Sequence, residues 1–144
     1  MEFFAKRFLE LSVDELYEIL KSRTEIFLLE QNIVCQDMDD KDRESLHCFF
    51  RDGNRVVGYL RAFCSDSESV TIGRVLTLDH KKGMGKELMT KSVEEIKRHF
   101  GCKKILVHAQ KQAAGFYEKM GFSVISEEYM EEGISHLTME MVVV

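Results

Sequence analysis

The sequence predicts one α/β domain, a mixed and mostly antiparallel sheet with helices packed on it. Residues 70–110 read as strand, glycine turn, amphipathic helix and strand, a crossover unit that sets two strands side by side in parallel. Short β-branched and apolar runs separated by turn signals lie before and after that unit and supply antiparallel partners. The chain has 144 residues, 44% hydrophobic and 31% charged. That suits a single globular core, since chains of this size bury roughly 70% of their unfolded surface.

Taken in order, residues 2–8 form a first strand. Ser12 and Glu15 make a capping box ahead of Leu16, Ile19, Leu20 and Phe27, which predicts a helix over 13–29. The acidic stretch 30–44 has no period and reads as a loop. Residues 45–51 and 55–64 are strands joined by Asp52, Gly53 and Asn54, a hairpin signal. The next strand, VTIGRVLTL at 70–78, is β-branched at Val70, Thr71, Ile72, Val75 and Thr77. Leu88, Met89, Val93, Ile96 and Phe100 then draw one stripe on a helix that stops at Gly101. KKILVHAQ at 103–110 is a strand covered on both faces. A short helix, QAAGFYEKM, closes at Gly121, and FSVISEEYM pairs with ISHLTMEMVVV across a turn at Glu132 and Gly133. No linker or repeat interrupts the chain, so 1–144 is read as one domain. The tail at 142–144 offers an edge for pairing, and a homodimer is the corresponding expectation.

Composition excludes several classes. A formal net charge of −5 argues against non-specific nucleic-acid binding. No apolar run approaches the ~20 residues of a membrane span, and the acids in MEFFAKRFLEL interrupt what a signal peptide would need. A cytoplasmic protein without a membrane partner is expected. Cys35, Cys48, Cys64 and Cys102 lack metal-ligand spacing and read as four free, mostly buried thiols, with no metal site.

The joint between the 70–78 strand and its helix is the candidate site. There DHKKGMGK places Lys81, Lys82 and Lys86 around Gly83 and Gly85. A helix start exposes N–H groups without intrahelical partners and carries partial positive charge, and glycines let an anion approach the backbone. The window fits a phosphate cradle or a solvated turn with ordinary surface lysines. It is not a P-loop, which needs glycine at His80 and Ser or Thr at Glu87. Nor is it a dinucleotide fingerprint, which needs glycine at Leu88.

The ordered set V-L-T-L, G-M-G-K at a helix start, and A-G-F-Y-E-K-M-G-F after the next strand resembles the GNAT superfamily of acetyl-coenzyme A-dependent N-acetyltransferases. EQN at 30–32, QDMDDKD at 36–42, IGRV at 72–75, AQ at 109–110 and EEYMEEGISHLTM at 127–139 resemble its ElaA-like branch. The resemblance implies a single domain in which the 70–78 and 103–110 strands splay apart to admit acetyl-coenzyme A. It implies that the backbone of Lys81, Lys82, Gly83, Met84, Gly85 and Lys86 holds the diphosphate. Val75, Leu76 and Thr77 would lie along the pantetheine arm, with main-chain N–H groups near Leu76 facing the reacting carbonyl. Gln110 and Phe116 would complete the cofactor site. His80 departs from the Gln or Arg usual at that position.

The resemblance also carries Tyr117 over as the acid that protonates departing thiolate; packing beside Phe116 and Phe122 is the other reading of that residue. A lysine-like amine is mostly protonated at neutral pH, so direct attack needs a proton acceptor. Glu30, His47, His108 and His136 are candidates for it, each with a hydrogen-bonded structural role as the alternative. Glu30, Gln31, His47 and Arg74 are placed on the acceptor side, with Arg74 either in the cleft or in an ion pair. The function implied is acetyl transfer from acetyl-coenzyme A to a primary amine without a metal. A non-catalytic acetyl-coenzyme A sensor or adaptor is the alternative.

Overall fold

The computed structural model describes residues 1–78 and 83–143. His80, Lys81 and Lys82 of the basic turn lie outside the described residues, as does Val144. Strand β1 (Glu2–Arg7) is followed by helix α1 (Val13–Arg23), capped by Ser12, whose side chain accepts from the Glu15 N–H while Glu15 accepts from the Ser12 N–H. The helix expected over 13–29 changes pitch after Arg23 and continues as a π-helical stretch, Thr24–Glu30. Strands β2 (Leu46–Asp52), β3 (Arg55–Cys64) and β4 (Ser69–Thr77) come next, then α2 (Met84–His99) and β5 (Lys104–Gln110). Helix α3 (Ala114–Lys119) leads to β6 (Ser123–Val124), β7 (Tyr129–Glu131) and β8 (Ile134–Val142). The single hairpin strand expected after α3 is therefore two short strands, both paired with β8.

The sheet order is β1-β2-β3-β4-β5-β8-β6, with β7 also on β8. Every pairing is antiparallel except β4 with β5. One face carries α2 and α3 over Leu60, Ile72, Leu88, Met89, Ile96, Ile105 and Met139, all essentially excluded from solvent. At about 1.5–3 kcal/mol for each large apolar side chain buried, α2 is held mainly by Leu88, Met89 and Ile96. The other face carries α1 and the π-helical stretch over Phe49, Val56, Tyr59 and Leu76, with Ile19 and Ile26 as their contacts.

The thiols depart from expectation: all four are free, but only Cys48 is buried, while Cys35 and Cys64 are exposed. The chain end is tied into the sheet, Val142 opposite Lys104 and the Val143 N–H on the Lys103 carbonyl at 2.9 Å. Among the described residues no helix is long and apolar enough to cross a membrane.

A cleft through the sheet and its candidate active site

Strands β4 and β5 pair only from Ser69 opposite Lys104 to Ile72 opposite Val107. Both continue beyond that point without each other: β4 runs on along β3, and β5 along β8. The divergence begins at an irregularity in β4. Between the pairs Arg61–Gly73 and Tyr59–Leu76, β3 advances two residues and β4 three. The extra residue bends the strand, and Arg74 sits there at φ 53° in the left-handed region.

The gap opens into a cleft of about 570 Å³. Val107, His108, Ala109 and Gln110 all line it. Successive strand side chains point to opposite faces, so the cleft passes through the sheet and is reached from both sides. The Leu78 N–H donates to the Val57 carbonyl at 2.9 Å. Alternation along the strand then turns the main chain of Leu76 toward β3 as well and that of Val75 and Thr77 into the gap. This corrects the placement of Leu76. Its N–H faces β3 and its side chain is buried in the α1 core, so the polar backbone groups facing the gap belong to its two neighbours.

Helix α2 starts at the far end of β4. Gly83 caps it at φ 90°, a conformation glycine adopts without a Cβ penalty. A Cβ on Gly85 would lie 3.4 Å from the Phe116 ring, at ordinary contact distance, so α3 packs directly beside the helix start. Met84 points its side chain into the core and offers a ligand only its main chain, while Lys86 is exposed on the first turn.

On the α3 side, Tyr117 lines the cleft with 6% of its surface exposed, its ring edge-on to Phe116 at 5.3 Å and to Phe122 at 5.6 Å. The ring thus packs as one reading expected, and the residue also faces the cleft. Burial raises the phenol above its ordinary pKa, which keeps it protonated at neutral pH.

The opposite side is built from residues that share one sheet face: Arg61 with Gly73, His108 with Thr138, Gln110 with His136, and Tyr129 with His136. His136, 7% exposed, donates its Nδ1–H to the Ile134 carbonyl at 2.7 Å, because a carbonyl can only accept. Its neutral form thus leaves Nε2 free to take a proton, with Glu131 Oε2 3.6 Å away. Tyr129 stacks on the His136 ring at 6.0 Å and is anchored through its hydroxyl to His108 Nδ1 at 2.8 Å and Thr138 Oγ1 at 3.0 Å.

Loop 31–44 covers this side, held by an ion network. Arg23 and Arg61 are 0% and 3% exposed, and both donate to Asp42 Oδ1, at 2.7 and 3.0 Å. Arg61 also grips Asp39 through two 2.7 Å bonds, and Arg23 and Arg74 clasp Asp37 at 2.9 and 2.8 Å. Arg74 therefore lines the cleft within an ion pair. Arg61, by hydrogen bond and by charge, holds the Asp39 carboxyl well below the usual range. Burial raises Asp42, but Arg23 and Arg61 outweigh it and leave that carboxyl low as well.

Two acceptor-side assignments are corrected. His47 is completely buried behind the network, its Nε2–H donated to the Asp42 carbonyl at 2.8 Å and its Nδ1 accepting from the Tyr59 hydroxyl at 2.7 Å. Desolvation lowers its pKa, and it does not reach the cleft. Glu30 ends the π-helical stretch and lines a separate cavity beside Arg55 and Leu78, away from Tyr117 and His136. Gln31 does line the cleft and accepts from the Gln110 amide at 2.8 Å across its mouth. Sequence reasoning missed the arginine–aspartate network and Tyr129. A signal for the former exists: Arg61 interrupts an otherwise apolar buried strand and Arg23 falls on the stripe of Ile19, so each needs a buried counter-charge. Among the described residues no cluster of His, Cys, Asp and Glu is disposed to hold a metal.

The sequence profile of the acetyltransferase (GNAT) domain matches residues 15–143. Protein ElaA of Escherichia coli is 36% identical over 136 residues, spanning 90% of this chain and 89% of that protein. The crystal structure of Escherichia coli ElaA superposes with a TM-score of 0.90 at 33% identity, over 97% of this chain and 98% of that one. An acyl-CoA N-acyltransferase from Pseudomonas aeruginosa superposes with a TM-score of 0.92 at 27% identity, covering 99% and 100% of the two chains.

Proposed function

Because the chain belongs to the acetyltransferase (GNAT) domain family, we propose that it transfers an acetyl group from acetyl-coenzyme A directly to a primary amine. The observation that carries this reading is the cleft that passes through the sheet between β4 and β5. An elongated thioester can enter from the α3 side while an amine meets its carbonyl from the other.

The residues present fit coenzyme A. Among the described residues the backbone groups of Val75 and Thr77 that face the gap have no β5 partner, which suits the amides of a pantetheine arm. The α2 start, with Gly83 in its left-handed cap and Gly85 clear of the Phe116 ring, offers unpartnered N–H groups to a diphosphate. Lys81, Lys82 and Lys86 add charge from the same segment of sequence. Acetyl-coenzyme A, when bound, would supply the activated acetyl thioester.

The chain's own groups then manage two protons. An amine attacking in its neutral form would bond to the carbonyl carbon as the carbon–sulfur bond breaks; the proton it loses would pass to His136 Nε2, the Tyr117 hydroxyl would give its proton to the departing thiolate, and exchange with solvent would return both residues to their starting forms. A phenol raised by burial is a weak acid, so placement beside the sulfur matters more than acidity. Gap-facing N–H groups of Val75 and Thr77 stabilise charge developing on the carbonyl oxygen. Gln31, Gln110 and Arg74 frame the acceptor entrance.

The test is a panel of primary amines incubated with acetyl-coenzyme A and read by mass spectrometry. Products heavier by one acetyl group, formed at a rate proportional to enzyme, support the reading. Tight coenzyme A binding with thiol release by hydrolysis alone would favour a sensor or adaptor instead.

A further inference from the structure

The charges around the acceptor side of the cleft do not cancel locally, and the imbalance selects among amines. Three cations of known partnership line or back it. Arg61 is committed to Asp39 and Asp42, and Arg74 to Asp37, while buried Arg23 bridges Asp37 and Asp42. Three arginines thus face three aspartates, and loop 31–44 presents no surplus charge from this network. The exception on that wall is Lys41. Its Nζ lies 4.6 Å from the centroid of the Phe63 ring, its side chain is exposed at the cleft, and among the described residues it has no carboxylate partner. An ammonium group on an aromatic face keeps its hydrogen-bonding capacity for an incoming anion.

The opposite wall carries the reverse sign. Glu131 and Glu132, at the turn between β7 and β8, line the cleft beside His136. Among the described residues Glu131 has only the 3.6 Å approach to His136, and Glu132 is held at φ 50° in the turn. A cationic amine is therefore drawn to the His136 wall, where its proton is to be taken, while the far end of the same molecule meets Lys41 and Phe63. A diamine would put its second ammonium against Lys41, a like-charge contact that disfavours it.

We propose that the acceptor is an amino acid-like molecule whose amine docks at Glu131 and His136 and whose carboxylate docks at Lys41. This rests on the acetyl-transfer reading and narrows it to amines that also carry an anion. Lys41 is a specificity residue. Its side chain makes no contact that the fold needs beyond the Phe63 ring, and its backbone bonds to Asp39 and Ser45 survive substitution.

The experiment compares kcat/KM for ω-amino carboxylates of increasing length with the matching amides and diamines. The expected result is a preference of about tenfold for the carboxylate at the best length, the usual worth of one charge-assisted contact. Lys41→Arg should keep that order, and Lys41→Glu should invert it in favour of the diamine. Amides or diamines accepted as well as the carboxylate, or an order untouched by Lys41→Glu, would overturn this inference and leave acetyl transfer standing. No transfer to any amine would overturn both.

Discussion

Replacing Asp42 by asparagine removes the central charge of the network that seats the acceptor loop. The carboxylate is 7% exposed and receives Arg23 at 2.7 Å and Arg61 at 3.0 Å, both guanidinium groups being almost wholly buried. Deleting one partner of a buried pair costs about 3–5 kcal/mol, because a charge is left without compensation. Here Asp37 and Asp39 remain on the same arginines, which argues for the lower end, about 3 kcal/mol. For a chain of this size each kcal/mol moves the midpoint by about 3–4 °C, so Tm should fall by about 10 °C. Thermal unfolding followed by circular dichroism reads this, with Asp40→Asn as the control: Asp40 is exposed and left-handed at φ 69°, a conformation asparagine tolerates. The looser loop should also raise KM for the amine while coenzyme A affinity stays unchanged. A fall in Tm below about 2 °C with unaltered kinetics would refute the assignment of the loop to this network.

Other outcomes follow from the same geometry. Tyr117→Phe should lower turnover by about 10²- to 10⁴-fold with coenzyme A affinity nearly unchanged; equal turnover would remove the hydroxyl from the reaction. Substituting His136 with glutamine keeps a polar side chain but removes the proton acceptor, and should cost kcat about 10²-fold or more in a steady-state assay. Acid should destabilise the fold in two stages. His47 has a lowered folded pKa, so the unfolded chain takes up the proton first and stability declines as pH falls below about 6.5. Asp39 and Asp42 are also lowered; their contribution is complete above about pH 4 and is lost below it, as the unfolded carboxyls protonate first. Urea midpoints measured from pH 7 to pH 3 check both stages.

Elements whose signal is local were legible in the sequence. The stripe of Leu88, Met89, Val93 and Ile96 announced α2, and Ser12 with Glu15 announced the start of α1. Asp52, Gly53 and Asn54 likewise marked the β2–β3 hairpin, now seen with Gly53 at φ 64°. The π-helical stretch was not legible, because an i to i+5 ladder keeps apolar residues on nearly the same side as an α-helix and leaves the pattern at Phe27 looking continuous. The break between Val124 and Tyr129 was hidden because Phe122, Val124, Ile125, Tyr129 and Met130 supply apolar residues on both sides of it, with no glycine or proline between to mark a turn.

The site divides in the same way. Gly83 at the α2 cap and Tyr117 on α3 sit where the strand, helix start and short helix read from the sequence put them. His47 could not be placed, since an alternating strand shows that a residue lies on one face but not what covers that face. The cover proved to be loop 31–44, whose aspartates had no visible partners until Arg23, Arg61 and Arg74 converged from three separate elements. Glu30 failed differently: its motif neighbour Gln31 reaches the cleft, while Glu30 itself turns to the cavity beside Arg55.

A crystal structure with acetyl-coenzyme A would locate the cofactor relative to the cleft between β4 and β5. The expected density has the pantetheine arm between β4 and β5, its amides on the main chain of Val75 and Thr77, the diphosphate on the N–H groups at Gly83 to Gly85, and the thioester sulfur beside the Tyr117 hydroxyl. Electron density for the arm on the outer surface of the sheet, or in the cavity between Glu25 and Arg55, would contradict it.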